Sequence, residues 1–389
     1  MKIVVITSRV PYPLEKGDKL RIYHQMKELS VQNEVYLIAI DNEHVAAEHI
    51  QHLEQFCKKV IVYKNSFLSQ AWNLFLGIFS DKPFQVHYFY DKVIHRHITK
   101  KIHSIQPDVV HCHLIRVSEY VKDLPFKKVL DYMDTFSLGL MRRLNKQAWY
   151  LRWLYRLESK RVERYEQSIF DSFDAHTIIS EQDRLHIQHA SNHTIRIINN
   201  GIAKEYLEYP LKEEKKYDLL FTGNMAYQPN IEAAVYIAAL VPAIKQYFPD
   251  IKIAISGINP SPQVVSLQSE NIEVTGWVAD LKEVYAVSRV FIAPMQIGTG
   301  LQNKLLEAMA MRMPCIASKL ANNALKAKNG FEVLECETEQ EYLEAIVKLL
   351  SDEKFSEQLA NNAHQFVINN YNWRSSVDEL QKIYQSLQK

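Results

Sequence analysis

The chain has 389 residues, 47% of them hydrophobic and 23% charged, with a formal net charge of +1. That composition describes a folded globular protein too long for one core, so two domains are expected. The near-neutral balance excludes a protein built to grip nucleic acid, whose surface is strongly basic, and no apolar run reaches the length of a bilayer span.

Met1-Lys2-Ile3-Val4-Val5-Ile6 is too short for a signal peptide and reads as a first strand. Short runs rich in Val and Ile then alternate with helical patterns. In the first half they fall at 3–7, 34–40, 60–63, 109–112, 128–131 and 175–179. In the second half they fall at 217–222, 251–256, 272–275, 290–293, 315–318 and 332–334. Such runs are expected of parallel strands buried on both faces, and the helices between them make repeated βαβ units. The polar stretch 199–216, with its Asn200-Gly201 turn signal, separates the two series. The expected architecture is therefore α/β, with two Rossmann-like doubly wound domains at 1–200 and 201–372 facing a central cleft. Ligands belong at the carboxyl ends of the strands. Residues 373–389 read as a helix with Trp373, Val377, Leu380, Ile383, Tyr384 and Leu387 on one face, suited to packing back on the first domain. Cys57, Cys112, Cys315 and Cys336 form no CxxC pair; two of them sit in strand patterns, as buried thiols of a reducing cytosol do. The expected location is cytoplasmic, at most peripheral on the inner face of the cell membrane.

Several loops carry chemistry. The first βα loop, 8–21, lacks G-x-G-x-x-G, but Gly17 stands at the mouth of a helix, with Lys19 and Arg21 close behind it. His111-Cys112-His113 ends a strand, and alternation puts both histidines on one face. No third ligand follows at zinc spacing, so no metal site is assigned; His113 is placed for a ligand and His111 for the core. Asp131 and Asp134 close the next strand, Asp134 lying past its end as an acceptor for hydroxyls. Phe221-Thr222-Gly223-Asn224-Met225 opens the second domain with a glycine turn, and Gly257 and Gly276 end later strands. Asp280 is placed to cap the helix that follows. The most specific stretch is P-M-Q-I-G-T-G-L-Q-N-K-L-L-E-A-M-A at 294–310. There Gly298, Thr299, Gly300 and Leu301 form a loop that leads into a helix carrying Asn303, Lys304 and Glu307. Backbone N–H groups and a lysine suit a phosphate, and a glutamate one turn on suits sugar hydroxyls.

Two segments stand outside this pattern. Residues 141–166 hold Arg142, Arg143, Lys146, Arg152, Arg156, Lys160, Arg161 and Arg164, interleaved with Trp149, Tyr150, Trp153 and Tyr155. A basic aromatic helix of this kind lies on an anionic membrane, grips a phosphorylated acceptor, or is simply a solvated face. Residues 72–79, W-N-L-F-L-G-I-F, are more apolar than a surface helix needs; they are expected to pack in the core, with membrane docking as the second reading.

Taken in order, these residues resemble a family 4 retaining glycosyltransferase of the GT-B fold, close to the bacterial exopolysaccharide-associated sugar transferases. The resemblance rests on P-Y-P-x-x-x-G-D-K-x-R at 11–21, D-V-V-H-x-H at 108–113, D-x-x-D at 131–134 and F-T-G-N-M at 221–225. It continues through Q-P-N at 228–230, V-T-G-W-V at 274–278 and G-L-Q-N-K-L-L-E-A-M-A at 300–310. It implies an acceptor-side first domain, a donor-side second domain, a terminal helix crossing back, and no obligatory metal. The co-substrate it implies is a UDP- or GDP-linked sugar, and the acceptor a glycan or lipid-linked glycan. By position, Glu307 matches the glutamate that binds the donor ribose, Lys304 and Gly17 serve the diphosphate, and His113 stands beside the transferred sugar. Two departures stand out. Thr299 occupies the place of the earlier glutamate of E-x7-E, and Asn224-Met225-Ala226 replaces the usual Arg/Lys pair, which shifts phosphate neutralisation to Lys304 with Lys19 or Arg21. The alternatives are a nucleotide-sugar 2-epimerase of the same fold and a non-catalytic nucleotide-sugar binding protein.

Overall fold

The computed structural model describes residues 1–14, 16–42, 45–144, 152–297 and 302–388, with the side chains of 142–144 excepted. The chain forms two compact units: Met1–Asn200 with Trp373–Lys389, and Gly201–Asn372.

The first unit is built on seven parallel strands: β1 Lys2–Thr7, β2 Glu34–Asp41, β3 Lys59–Lys64, β4 Val109–His113, β5 Lys128–Asp131, β6 Ala175–Ile178 and β7 Arg196–Ile197. Their order is β3-β2-β1-β4-β5-β6-β7, which reverses direction between β1 and β4. Period-2 alternation fills both faces. Val4, Ile6, Val110, Cys112 and Leu130 point into one core, whereas Ile3, Val5, Val109 and Val129 point into the other. Helix Gly17–Leu29 adds Ile22, Met26 and Leu29 to the second core, at helical spacing. Helix Trp373–Ser386 brings Val377, Leu380 and Tyr384 to the same core.

In the second unit the strands are β8 Tyr217–Thr222, β9 Ile253–Ser256, β10 Ile272–Gly276, β11 Ser288–Ala293, β12 Cys315–Ser318 and β13 Leu334–Cys336. Their order, β10-β9-β8-β11-β12-β13, reverses between β8 and β11. Together these are the two doubly wound sheets of the GT-B fold.

Several strand ends shift by one or two residues from the sequence expectation, and three elements differ for a local reason. The two-residue β7 is too short for a periodicity to register. Ile251 stays outside β9, because its N–H closes a turn on Phe248 O. The last strand starts at Leu334, two residues late: Gly330, at φ 75°, donates to Val333 O and folds that segment into a turn. All four cysteines are buried and unbridged.

The apolar segment 72–79 is not core. Helix Phe67–Gly77 buries only Gln70 and Gly77, while Phe67, Trp72 and Phe79 are 80%, 62% and 79% exposed. Among the described residues no helix is long and apolar enough to cross a membrane.

Candidate functional site

An open α/β sheet leaves a crevice at the carboxyl ends of the two strands where its order reverses. In the second unit those strands are β8 and β11. The chain leaves β8 at Gly223, and after β11 it enters helix Asn303–Ala310. That helix turns Leu305, Leu306, Ala308 and Met309 into the core, which leaves Lys304 and Glu307 together on its other side. The Lys304 ammonium donates to Asn230 Oδ1 and lies 4.5 Å from the centre of the Phe221 ring. Asn230 in turn donates from Nδ2 to Asn224 O at 2.9 Å, fastening the glycine turn to the lysine. A Cβ on Gly223 would come within 2.6 Å of Asn230 Nδ2 and 3.0 Å of Lys304 Nζ, so only glycine fits.

Glu307 Oε2 accepts from the Tyr285 hydroxyl at 3.0 Å, and that hydroxyl also meets Thr222 Oγ1 at 2.8 Å. Burial pushes the Lys304 ammonium down to about 7, against the pull of Glu307. Burial also pushes the Glu307 carboxyl up to about 7, although Tyr285 and Lys304 oppose it. An ammonium and a carboxylate one turn apart, beside a bare glycine turn, provide a place for phosphate and a place for hydroxyls. Two further glycines continue the row. Gly223 N–H donates to Ser256 O, and Gly257 N–H donates to Gly276 O, each at 3.0 Å. Asp280 caps the following helix, accepting from Lys282 N–H at 3.0 Å.

In the first unit the reversal lies between β1 and β4. Helix Gly17–Leu29 starts behind Lys16 with no side-chain cap, so its first N–H groups are not satisfied by a capping side chain. A Cβ on Gly17 would meet only Met133 Cε, at an ordinary 3.5 Å. His113 and Asp131 are register partners on β4 and β5, and Thr177 is the partner of Asp131 on β6. His113 Nδ1 faces Asp131 Oδ2 at 3.1 Å, and Nε2 faces Asp18 O at 3.1 Å. The imidazole thus joins the end of β4 to the first turn of the helix. Arg21 holds Asp131 from Nε at 2.8 Å and from Nη2 at 3.1 Å, and donates from Nη1 to Ile198 O and Asn200 Oδ1. Burial alone would raise the Asp131 carboxyl, yet Arg21 and His113 hold it well below the usual carboxylate range.

His111, His113 and Asp131 lie close enough to surround a cation. The donor set does not suit one. Arg21 already occupies both Asp131 oxygens, Thr177 donates to Oδ1 at 2.9 Å, and an ion there would stand beside a guanidinium in a dry site. His111 instead faces the Tyr384 hydroxyl through Nδ1 at 2.8 Å, and burial pushes its imidazole down to about 3.

Against the sequence reading, Arg21 is corrected. It is wholly buried and bound to Asp131, so it offers nothing to a phosphate. Lys19 is half-buried in the first helical turn. Asp134 is also half-buried, and it is Asp131 that meets His113, because parallel register aligns the ends of β4 and β5. Asn224 is exposed, its Oδ1 accepting from Ala226 N–H at 3.0 Å; Asn303 is the first residue of its helix. Gly298, Thr299, Gly300 and Leu301 lie outside the described residues. Sequence reading gave no role to Asn230 or Tyr285. Asn230 sat in the Q-P-N triplet, a usable signal, whereas Tyr285 reads as an ordinary core position.

Residues 216–352 match a family model described as Glycosyl transferases group 1. A 44.6 kDa protein of the cps region of Klebsiella pneumoniae, itself uncharacterised, is 23% identical over 95% of this chain and 96% of its own length. The Escherichia coli UDP-Gal:alpha-D-GlcNAc-diphosphoundecaprenol alpha-1,3-galactosyltransferase is 27% identical over 28% of each chain. Among solved structures, Anabaena HepE in complex with UDP and glucose is similar with a TM-score of 0.70 at 13% identity, over 99% of both chains.

Proposed function

We propose that this chain, a nucleotide-sugar glycosyltransferase of the GT-B fold, transfers its sugar with retention of configuration to a glycan or lipid-linked acceptor in the synthesis of a cell-surface polysaccharide. The observation that carries the reading is the cluster of Gly223, Asn230, Lys304 and Glu307 at the reversal of the second sheet. In this reading Lys304 neutralises the diphosphate of a UDP- or GDP-linked donor, and Asn230 holds the ammonium against the Gly223 turn. Glu307 accepts hydrogen bonds from the ribose hydroxyls. Lys19 and the N–H groups that open helix Gly17–Leu29 add to the phosphate side, and Asp134 serves the acceptor. His113 stands beside the transferred sugar, where a sugar hydroxyl competes with the Asp18 carbonyl for Nε2.

The chemistry asks the site to stabilise a diphosphate leaving group while an oxocarbenium-like sugar forms. A fixed cation and aligned N–H groups in a partly desolvated site meet that charge as it develops. No side-chain nucleophile is assigned, since retention follows from the acceptor approaching on the leaving-group face. The cps-region relative supports a polysaccharide setting, and the diphosphoundecaprenol acceptor of the Escherichia coli relative supports a lipid-linked acceptor. The matched group 1 domain does not favour the epimerase alternative.

The test begins with thermal-shift screening of UDP- and GDP-sugars, because a ligand bound to the native state raises the melting temperature by mass action. With the donor found, Lys304→Ala and Glu307→Gln are each expected to cost on the order of 100-fold in kcat/KM. Full activity in both variants would overturn the site assignment. Rapid acceptor-independent epimerisation of the donor would overturn the transferase reading.

A further inference from the structure

The described residues of the first unit carry a second surface that the sugar chemistry does not use. From Asn65 to Ser80 no residue is charged. Helix Phe67–Gly77 and its continuation expose Phe67, Leu68, Trp72, Phe75, Leu76, Ile78 and Phe79, at spacings that form one stripe. An apolar stripe of that size on the outside of a folded unit marks an interaction surface.

A groove of about 810 Å³ lies beside it, lined among others by Leu74, Phe75, Ile78, Phe84, Trp153 and Leu157. Its far wall is helix Arg152–Ser168. On that helix Arg152, Arg156, Lys160 and Arg164 recur every four residues, and all are exposed. Exposed Trp153 and Leu157 form the next ridge, on the side of the groove. Glu163 is the exposed acid on this cationic face of the helix. Arg161 locks the two helices together, donating from Nη1 to Gly77 O at 2.9 Å and from Nη2 to Ile78 O at 3.2 Å. The lock makes one fixed face: an apolar stripe, then a groove, then a row of cations.

From this face we infer that the first unit docks on an anionic lipid bilayer. The aromatic and aliphatic stripe enters the interfacial region, and the arginine and lysine row lies over acidic headgroups. Charge complementarity decides the occupant: a protein partner or a second copy has no general need for a cation ladder flanking an apolar stripe, whereas an acidic leaflet matches both parts. The inference rests on the transferase reading only in that a lipid-linked acceptor would be met at such a surface.

The experiment is flotation of the full chain with vesicles of phosphatidylcholine alone or mixed with phosphatidylglycerol. Binding is expected to the mixed vesicles and to weaken as salt is raised. Arg156→Gln combined with Lys160→Gln should weaken binding to mixed vesicles by about fivefold per charge removed. Leu68→Ser combined with Phe79→Ser should abolish flotation, and both positions are exposed enough for the melting temperature to hold. No flotation of the unaltered chain, or flotation unchanged in both double variants, would overturn the inference. Loss of the stripe that dissolved a concentration-dependent dimer, with no vesicle binding in any variant, would overturn it in favour of self-association. Transfer to a soluble acceptor should persist in all variants. Vesicle binding without any transferase activity would sink the functional reading and leave the surface standing.

Discussion

Lys304 and Glu307 are separated by one helical turn, and each is brought to about 7 from opposite sides. A diphosphate favours the ammonium, so donor binding takes up a proton wherever Lys304 would otherwise be neutral, and affinity falls as the pH rises above neutrality. Hydroxyl donors favour the carboxylate, so affinity also falls as acid protonates Glu307. A bell-shaped dependence of donor affinity on pH is expected, measurable by titration calorimetry in buffers of different ionisation enthalpy. Glu307→Gln should remove the acid limb and Lys304→Arg the alkaline limb; a flat profile through neutrality would take both groups out of the donor site. This pair was legible in the sequence because i and i+3 on a helix share a face. Arg21 was misread for an equally physical reason. A cation near a helix start looks solvated until the sheet register supplies Asp131 as its partner.

At the level of elements, the ends of β8, β9 and β10 are tied by glycines that differ in kind. A Cβ on Gly257 would lie 1.7 Å from Gly223 O, an impossible contact with backbone. Gly257→Ala is therefore expected to cost more than about 4 kcal/mol, or to move the Gly223 turn and abolish donor binding. Gly276 has φ 67° and open space around it, so Gly276→Ala should cost only roughly 1 kcal/mol. Equal denaturation midpoints for the two variants would contradict this assignment. The sequence showed three strand-ending glycines; which of them the packing forbids to change depended on how the turns meet each other and Asn230. On β4 the alternation predicted for His111 and His113 sends both side chains to one face, but their partners set their roles. His111, brought down to about 3 from 6.5, stays neutral in the folded state while the unfolded chain takes up a proton below 6.5. Its contribution to stability is thus present above that pH and is lost as acid is added. The fall in melting temperature just below pH 6.5 should be shallower in His111→Gln, and an unchanged slope would rule the histidine out.

At the scale of the whole molecule, the terminal helix belongs with the first unit although the second unit separates them in sequence. Leu380 and Tyr384 are fully buried there in the core that also holds Ile22 and Met26, and Tyr384 reaches His111. Leu380→Ala should cost about 2–5 kcal/mol by cavity formation. Hydrogen exchange should rise in Lys2–Thr7, Gly17–Leu29 and Val109–His113, and not in Tyr217–Thr222. Faster exchange spread equally over both units would show that their cores are not independent.

The apolar runs, the turn signals and the spacing of Lys304 and Glu307 were fixed locally, so the amino-acid order alone determined the α/β class, most strands and the helix that carries Lys304 and Glu307. Contacts between residues far apart in sequence could be decided only by the tertiary structure. Parallel register put Asp131 beside His113 and consumed Arg21, and the return of Asn230 to Lys304 fastened the glycine turn. The same holds for 72–79, whose hydrophobicity is a property of composition. Its exposure follows from what the neighbouring helices leave uncovered.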